Sequence, residues 1–117
     1  LENIEITERT VAVVMSHNYL DDLEMLKLLV PSNLKYLGIL GPKKRTNRIL
    51  KELQEEEIKV NSNIYSPVGL DVGADNAEEI ALSIVSEIQA VISQRDAGFL
   101  RNRNAAIHGR KELATDN

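Results

Sequence analysis

The sequence predicts an α/β fold: a small parallel sheet with helical crossovers, in three layers. Three observations predict it. Residues 10–15, Thr-Val-Ala-Val-Val-Met, and residues 36–40, Tyr-Leu-Gly-Ile-Leu, are short apolar runs of the kind found in strands buried on both faces. Each run leads into a stretch whose apolar residues recur at helical spacing. The resulting order (strand, helix, strand, helix, weak strand, loop, helix) is that of strands joined by helical crossovers.

Residues 1–9 mix apolar and acidic residues without a period and read as a connecting segment. The chain opens on Leu1 and not on Met, which suggests a processed or excised piece. After the first strand comes Ser16-His17-Asn18, then a helix over residues 20–30 with Leu23, Leu26 and Val30 on one face, closed by Pro31-Ser32-Asn33. The second strand stops at Gly41-Pro42. Pro42 suits the first position of the next helix, where a missing N–H costs nothing. That helix extends to about residue 56, with Ile49, Leu50 and Leu53 inward and Lys44, Arg48, Lys51 and Glu55 outward. Asn63-Ile64-Tyr65 carries the weak strand signal. Residues 66–75 form a loop with two glycines and a proline, long enough to be suspected of function. Asn76 and Glu79 have the spacing of a capping box for a last helix reaching about residue 94. Its apolar residues are Ile80, Ile84, Ile88 and Val91, with Ala81, Val85 and Ile92 widening the stripe. The domain is expected to span residues 10–95, with residues 96–117 a polar tail. Three strands would leave apolar edges open, which predicts either further strands upstream or pairing with a second copy.

Composition narrows the function classes. A chain of 117 residues, 43% hydrophobic and 27% charged, suits one soluble domain. Aromatics are 3% of residues and the net charge is −4, which argues against a general nucleic-acid binder. There is no cysteine, so disulfides, thiolate nucleophiles and cysteine-held metals are excluded within the chain. His17 and His108 lack metal-ligand spacing, so no metal site is expected. No apolar run is long enough to span a membrane and no secretory signal is visible; with no cysteine, the cytoplasm is the default location.

In open parallel sheets ligands bind beyond the carboxyl ends of the strands. Three segments fall there and are expected to converge: Ser16-His17-Asn18, residues 41–45 and residues 66–75. Lys43, Lys44 and Arg45 occupy a first helical turn whose dipole prefers acids, so a bound anion would relieve them. His17 is a candidate partner for Asp22, while Asp21-Asp22 reads most simply as a solvated acidic patch. The dinucleotide fingerprint Gly-x-Gly-x-x-Gly is absent, and Gly38 and Gly41 do not replace it.

Four motifs in order carry a resemblance. They are Val13-Val14-Met15-Ser16-His17 with Asp22, Tyr36-Leu37-Gly38-Ile39-Leu40-Gly41 with the basic residues after it, Ser66-Pro67-Val68-Gly69-Leu70-Asp71-Val72-Gly73-Ala74, and Glu79-Ile80-Ala81-Leu82-Ser83-Ile84 with Glu87. Together they resemble the C-terminal Rossmann-like domain of xanthine dehydrogenase accessory proteins, the XdhC/CoxI family. The resemblance implies a partial Rossmann-like sheet and a chaperone for the molybdenum cofactor (molybdopterin), which assists its sulfuration and its insertion into a xanthine dehydrogenase-type client. A cysteine desulfurase is an implied further partner, and a homodimer is expected. Carried over by position, the cofactor-binding residues are His17, Asp22, Gly41, Lys43, Lys44, Arg45, Ser66, Pro67, Gly69, Leu70, Asp71, Gly73 and Glu87. The chain departs from the family where Pro42 replaces a usual serine and Ser86 a common alanine. The family's upstream glycine-rich turn and its cysteine-containing N-terminal domain are not in this chain. Two alternatives stay open: a nicotinamide-dinucleotide (NAD or NADP) oxidoreductase-like domain, and a structural or dimerisation module that contacts the client.

Overall fold

The computed structural model describes residues 5–104. Strand β1 (Val11–Val14) leads to helix α1 (Tyr19–Leu29), a 3-10 turn (Val30–Ser32), strand β2 (Tyr36–Ile39), helix α2 (Lys43–Glu55), strand β3 (Ile64–Tyr65) and helix α3 (Ala77–Ile92). The sheet is parallel throughout, in the order β1-β2-β3. Val14 pairs with Ile39, and Gly38 with Tyr65. The expected fold class therefore holds.

Alternation along β2 makes the three layers, because successive side chains leave a strand on opposite faces. Leu37 and Ile39 enter the main core with Val14, with Leu23, Leu26 and Leu29 of α1, and with Ile49 and Leu53 of α2. Tyr36 and Gly38 point the other way. The Tyr36 hydroxyl donates to Glu87 Oε1 of α3 at 2.7 Å, and the Tyr36 ring stacks on Tyr65 with centroids 4.7 Å apart. At Gly38 a Cβ would lie 2.5 Å from Val68 Cγ2 and 2.9 Å from Tyr36 Cε1, so only glycine lets the loop after β3 close over the sheet.

No cap is expected from the sequence at Asn18, whose side chain accepts from the N–H groups of Leu20 and Asp21; the cap expected at Asn76 is present, its side chain accepting from Glu79 N–H. The reciprocal contact from Glu79 goes to Asp75 N–H, one residue before the cap. Helix α2 has no side-chain cap: Pro42 is itself the cap residue, one position earlier than expected, and its carbonyl accepts from Arg45 N–H at 3.0 Å.

Helix α3 keeps the narrow inward stripe but not its expected widening. Ile84 is buried and Ile80, Ile88 and Val91 are half-buried, whereas Val85 and Ile92 are each more than 60% exposed and Ala81 faces solvent. One helix, held through Glu87 to Tyr36 of β2 and to the loop after β3, can bury only one side of itself, and the stripe is wider than that contact. The segment after α3 forms a 3-10 turn at Leu100–Asn102. The expectation for the polar tail otherwise falls on residues outside those described.

Burial together with the Glu87 hydrogen bond pushes the Tyr36 hydroxyl well above the usual tyrosine range. Its neutral form is thus favoured by folding. The linked stability is complete below the unfolded value of about 10 and is lost as pH rises above it, where the unfolded chain ionises first. Ultraviolet titration of the native protein is expected to leave Tyr36 neutral at about pH 11. Ionisation of all three tyrosines before unfolding would contradict this.

Candidate functional site

The carboxyl ends of β1 and β2 open onto a junction built around Asp22. Asp22 lies in the first turn of α1, beside the exposed Leu20 and Asp21, yet its side chain is fully buried. Ser16 Oγ donates to Asp22 Oδ1, and Arg45 Nη2 of α2 lies 2.8 Å from Oδ2. The second contact is an ion pair without directional hydrogen-bond geometry, so Oδ2 keeps unused accepting capacity. Two expectations are corrected here. Asp21 is solvated but Asp22 is not, because the turn after β1 folds Asp22 beneath Arg45. His17 does not pair with Asp22: it is exposed, and among the described residues it makes no hydrogen bond.

On the outer side of this pair lies a cavity of about 400 Å³ lined by Tyr19, Pro42, Lys44, Arg45 and Arg48. The Tyr19 ring carries the guanidinium of Arg48 at 4.7 Å and that of Arg45 at 5.8 Å, both within cation–π range. Its hydroxyl donates to Glu52 Oε1 at 2.9 Å; partial burial and this contact raise the Tyr19 pKa. Arg45, Arg48 and Glu52 recur at helical spacing on α2, and Tyr19 from α1 lies against that face. Lys43 and Lys44 are exposed, and among the described residues neither they nor Arg48 forms an ion pair.

The loop after β3 is joined to the same end of the sheet. Thr46 and Ser66 share a hydrogen bond of 2.6 Å, and Val68 N–H donates to Ile39 O, prolonging the strand contact. Gly69 N–H donates to Glu87 Oε1 at 3.0 Å, and Leu70 N–H to Ser83 O at 3.1 Å. The loop is therefore pinned from Ser66 to Leu70. Pro67 follows a cis peptide bond and is exposed, as are Asp71 and Gly73. Glu87 spends one oxygen on both Tyr36 and Gly69, holding loop to sheet.

Contacts thus link the three segments: Ser16 through Asp22 to Arg45, and Thr46 to Ser66. Gly41, at φ +116°, makes the turn between β2 and α2 that brings Arg45 over Asp22. The sequence assigns no site role to Tyr19, Arg48 or Thr46. The spacing of Arg45, Arg48 and Glu52 was a usable signal for Arg48; nothing local marked Thr46 or Tyr19.

What this geometry defines is a Rossmann-type α/β unit with a cationic, aromatic-walled pocket at the carboxyl end of its sheet. The family described as XdhC Rossmann domain matches residues 2–88, and the chain belongs to that family. It is 40% identical over 88 residues to a probable xanthine dehydrogenase subunit of Bacillus subtilis (strain 168), a match covering 75% of this chain and 25% of that protein. It is 26% identical over 102 residues to the uncharacterized protein YqeB of Escherichia coli (strain K12), covering 86% of this chain and 18% of that one. Among solved structures, the crystal structure of a xanthine dehydrogenase from Bacillus halodurans superposes with a TM-score of 0.70 at 37% identity, covering 80% of this chain and 28% of that one. The matched part of the chain spans between 18% and 28% of the length of these relatives.

Among the described residues, no helix is long and apolar enough to cross a membrane. Nor does any cluster of three His, Cys, Asp or Glu side chains have the arrangement to hold a metal ion.

Proposed function

We propose that this domain serves an accessory protein which binds the molybdenum cofactor and helps deliver it, sulfurated, to a xanthine dehydrogenase-type enzyme. Membership of the XdhC family and relatives named for xanthine dehydrogenase support the setting. One observation carries the binding role: a pocket lined by Lys44, Arg45 and Arg48 at the carboxyl end of a parallel sheet, where such folds take their ligands. The chemistry of these residues fits the phosphate end of a pterin cofactor, since ammonium and guanidinium groups are the usual receptors for phosphate oxygens. The pterin cofactor would bring its own molybdenum, and the chain would supply the seat and its orientation. In this reading Lys44 flanks the phosphate at an uncapped helix start, Lys43 adds positive field from outside the pocket wall, and His17 with the loop from Ser66 to Gly73 faces the remainder of the ligand. The desulfurase partner, the homodimer and the cytoplasmic setting belong to the same proposal.

The test is native mass spectrometry of the protein at its full natural length, incubated separately with molybdenum cofactor and with NAD. Cofactor bound to the wild type and lost on reversing Lys44→Glu is the expected result. NAD bound with no pterin would transfer the assignment to the dinucleotide-binding alternative. Client capture with neither ligand bound would leave a structural module.

A further inference from the structure

Pairing inside the junction changes which cations are available. Sequence alone offers Lys43, Lys44 and Arg45 as three equal anion ligands. Asp22, wholly buried, neutralises Arg45 and fixes it against the sheet end, with one guanidinium nitrogen 2.8 Å from Oδ2. What stays uncompensated on the cavity wall is Lys44 from the first turn of α2 and Arg48 from the next, with the Tyr19 ring beneath Arg48. Glu52, the nearest acid along that face, accepts from the Tyr19 hydroxyl and makes no ion pair among the described residues.

From this geometry we infer that Lys44 and Arg48 form the phosphate seat of the pocket, that Tyr19 positions Arg48 in it, and that Arg45 supports the wall without binding ligand. The inference rests on the phosphate-binding reading above and deepens it by naming the ligand chemistry, a phosphate monoester. Two free cations match the charge of such a group, which is close to −2 at neutral pH. Stacking restricts the Arg48 guanidinium before the ligand arrives, so less freedom is lost on binding. Lys44 on its flexible stem closes from the other side. Carboxylates and monoanionic diesters would leave one cation unmatched and should bind more weakly. A nucleoside monophosphate and a pterin phosphate share the recognised chemistry and are separated by the experiment.

The experiment uses the protein at full natural length and three probes: inorganic phosphate, AMP and molybdenum cofactor. Binding is followed by calorimetry for the first two and by native mass spectrometry for the third, in wild type and in Lys44→Ala, Arg48→Ala, Arg48→Lys and Tyr19→Leu. Lys44→Ala and Arg48→Ala are each expected to weaken every phosphate-bearing probe the wild type binds by about ten-fold, the scale of one charge-assisted contact. Both positions are exposed, so melting temperature should not change. Tyr19→Leu should weaken Arg48-dependent binding while leaving the effect of Lys44→Ala intact. Arg48→Lys should recover only part of the affinity, since a lysine lacks the stacked fork; full recovery would remove the stacking argument.

If the wild type holds molybdenum cofactor and both alanine variants hold it equally well, the seat is wrong and the cofactor reading stands. If phosphate or AMP binding depends on Lys44 and Arg48 but the wild type takes no molybdenum cofactor, the seat stands and the cofactor reading falls. Binding of none of the three probes overturns the seat.

Discussion

Replacing Arg45 with methionine is expected to lower the stability of the domain by about 3 kcal/mol, the low end of the range for breaking a buried ion pair. The low end applies because the Arg45 side chain is 26% exposed and so was never fully desolvated, whereas its partner Asp22 is 0% exposed. The loss comes less from the pair than from what is left: a carboxylate sealed under the end of the sheet with only the Ser16 hydroxyl to serve it. Two further variants test that cause. Asp22→Asn combined with Arg45→Met should restore most of the loss, because an amide is far cheaper to bury alone than a charge. Arg45→Lys should fall between, keeping the charge but not the fork. Urea unfolding of the four proteins reads these differences directly, since midpoint shifts at constant slope report stability. A loss under about 1 kcal/mol for Arg45→Met, the size typical of surface pairs, would mean that water reaches Asp22 in solution and that the junction is not a rigid floor beneath the pocket.

Gly69→Ala is expected to be as damaging by a different route. Gly69 has φ +108°, where an L side chain is strained, and an added Cβ would lie 2.5 Å from Ser83 Oγ and 3.4 Å from Ser83 Cβ. Backbone strain and overpacking each cost about 1–3 kcal/mol, so a total near 3 kcal/mol is anticipated. The two parts are separable. Ser83→Ala removes the closest atom and should recover the packing share in the double variant, leaving the strain of the positive φ behind. The neighbouring amide protons report the mechanism. Gly69 and Leu70 N–H, bonded to Glu87 and Ser83, should exchange faster in Gly69→Ala if the loop lifts from the sheet. A variant as stable as wild type with unchanged exchange would show that the loop is not clamped in solution.

Order and type of the elements were legible in the sequence because their signals are local. A β-branched apolar run, a proline after a glycine and an asparagine ahead of a helical stripe each act within a few residues. Hence β1, β2, the three helices and even the weak β3 fell within a residue or two of where they are expected. Pro42 shifted by one position because a proline fits the cap as readily as the first turn when φ is near −65°. Width of burial was not legible. The α3 stripe reads as one apolar face, but how much is covered depends on what the sheet presents to it, and the sequence of α3 carries no information about that.

At the site, the sequence by itself determined which chemistry is available: three consecutive cations after a strand, a glycine-containing loop, an acid near the start of α1 and another in α3, and no cysteine. Only the tertiary structure decided how those charges are spent. Asp22 and Arg45 are distant in the chain and meet because β1 and β2 pair in parallel, which sets the ends of both strands, and the helices that follow them, side by side. That pairing withdraws Arg45 from the free cations, and the packing of α1 on α2 brings Tyr19 under Arg48 in its place. Electrostatic partnership acts over a few ångströms in space and is blind to sequence distance, so residue types can name the charges of a pocket while only the fold can say which remain uncompensated.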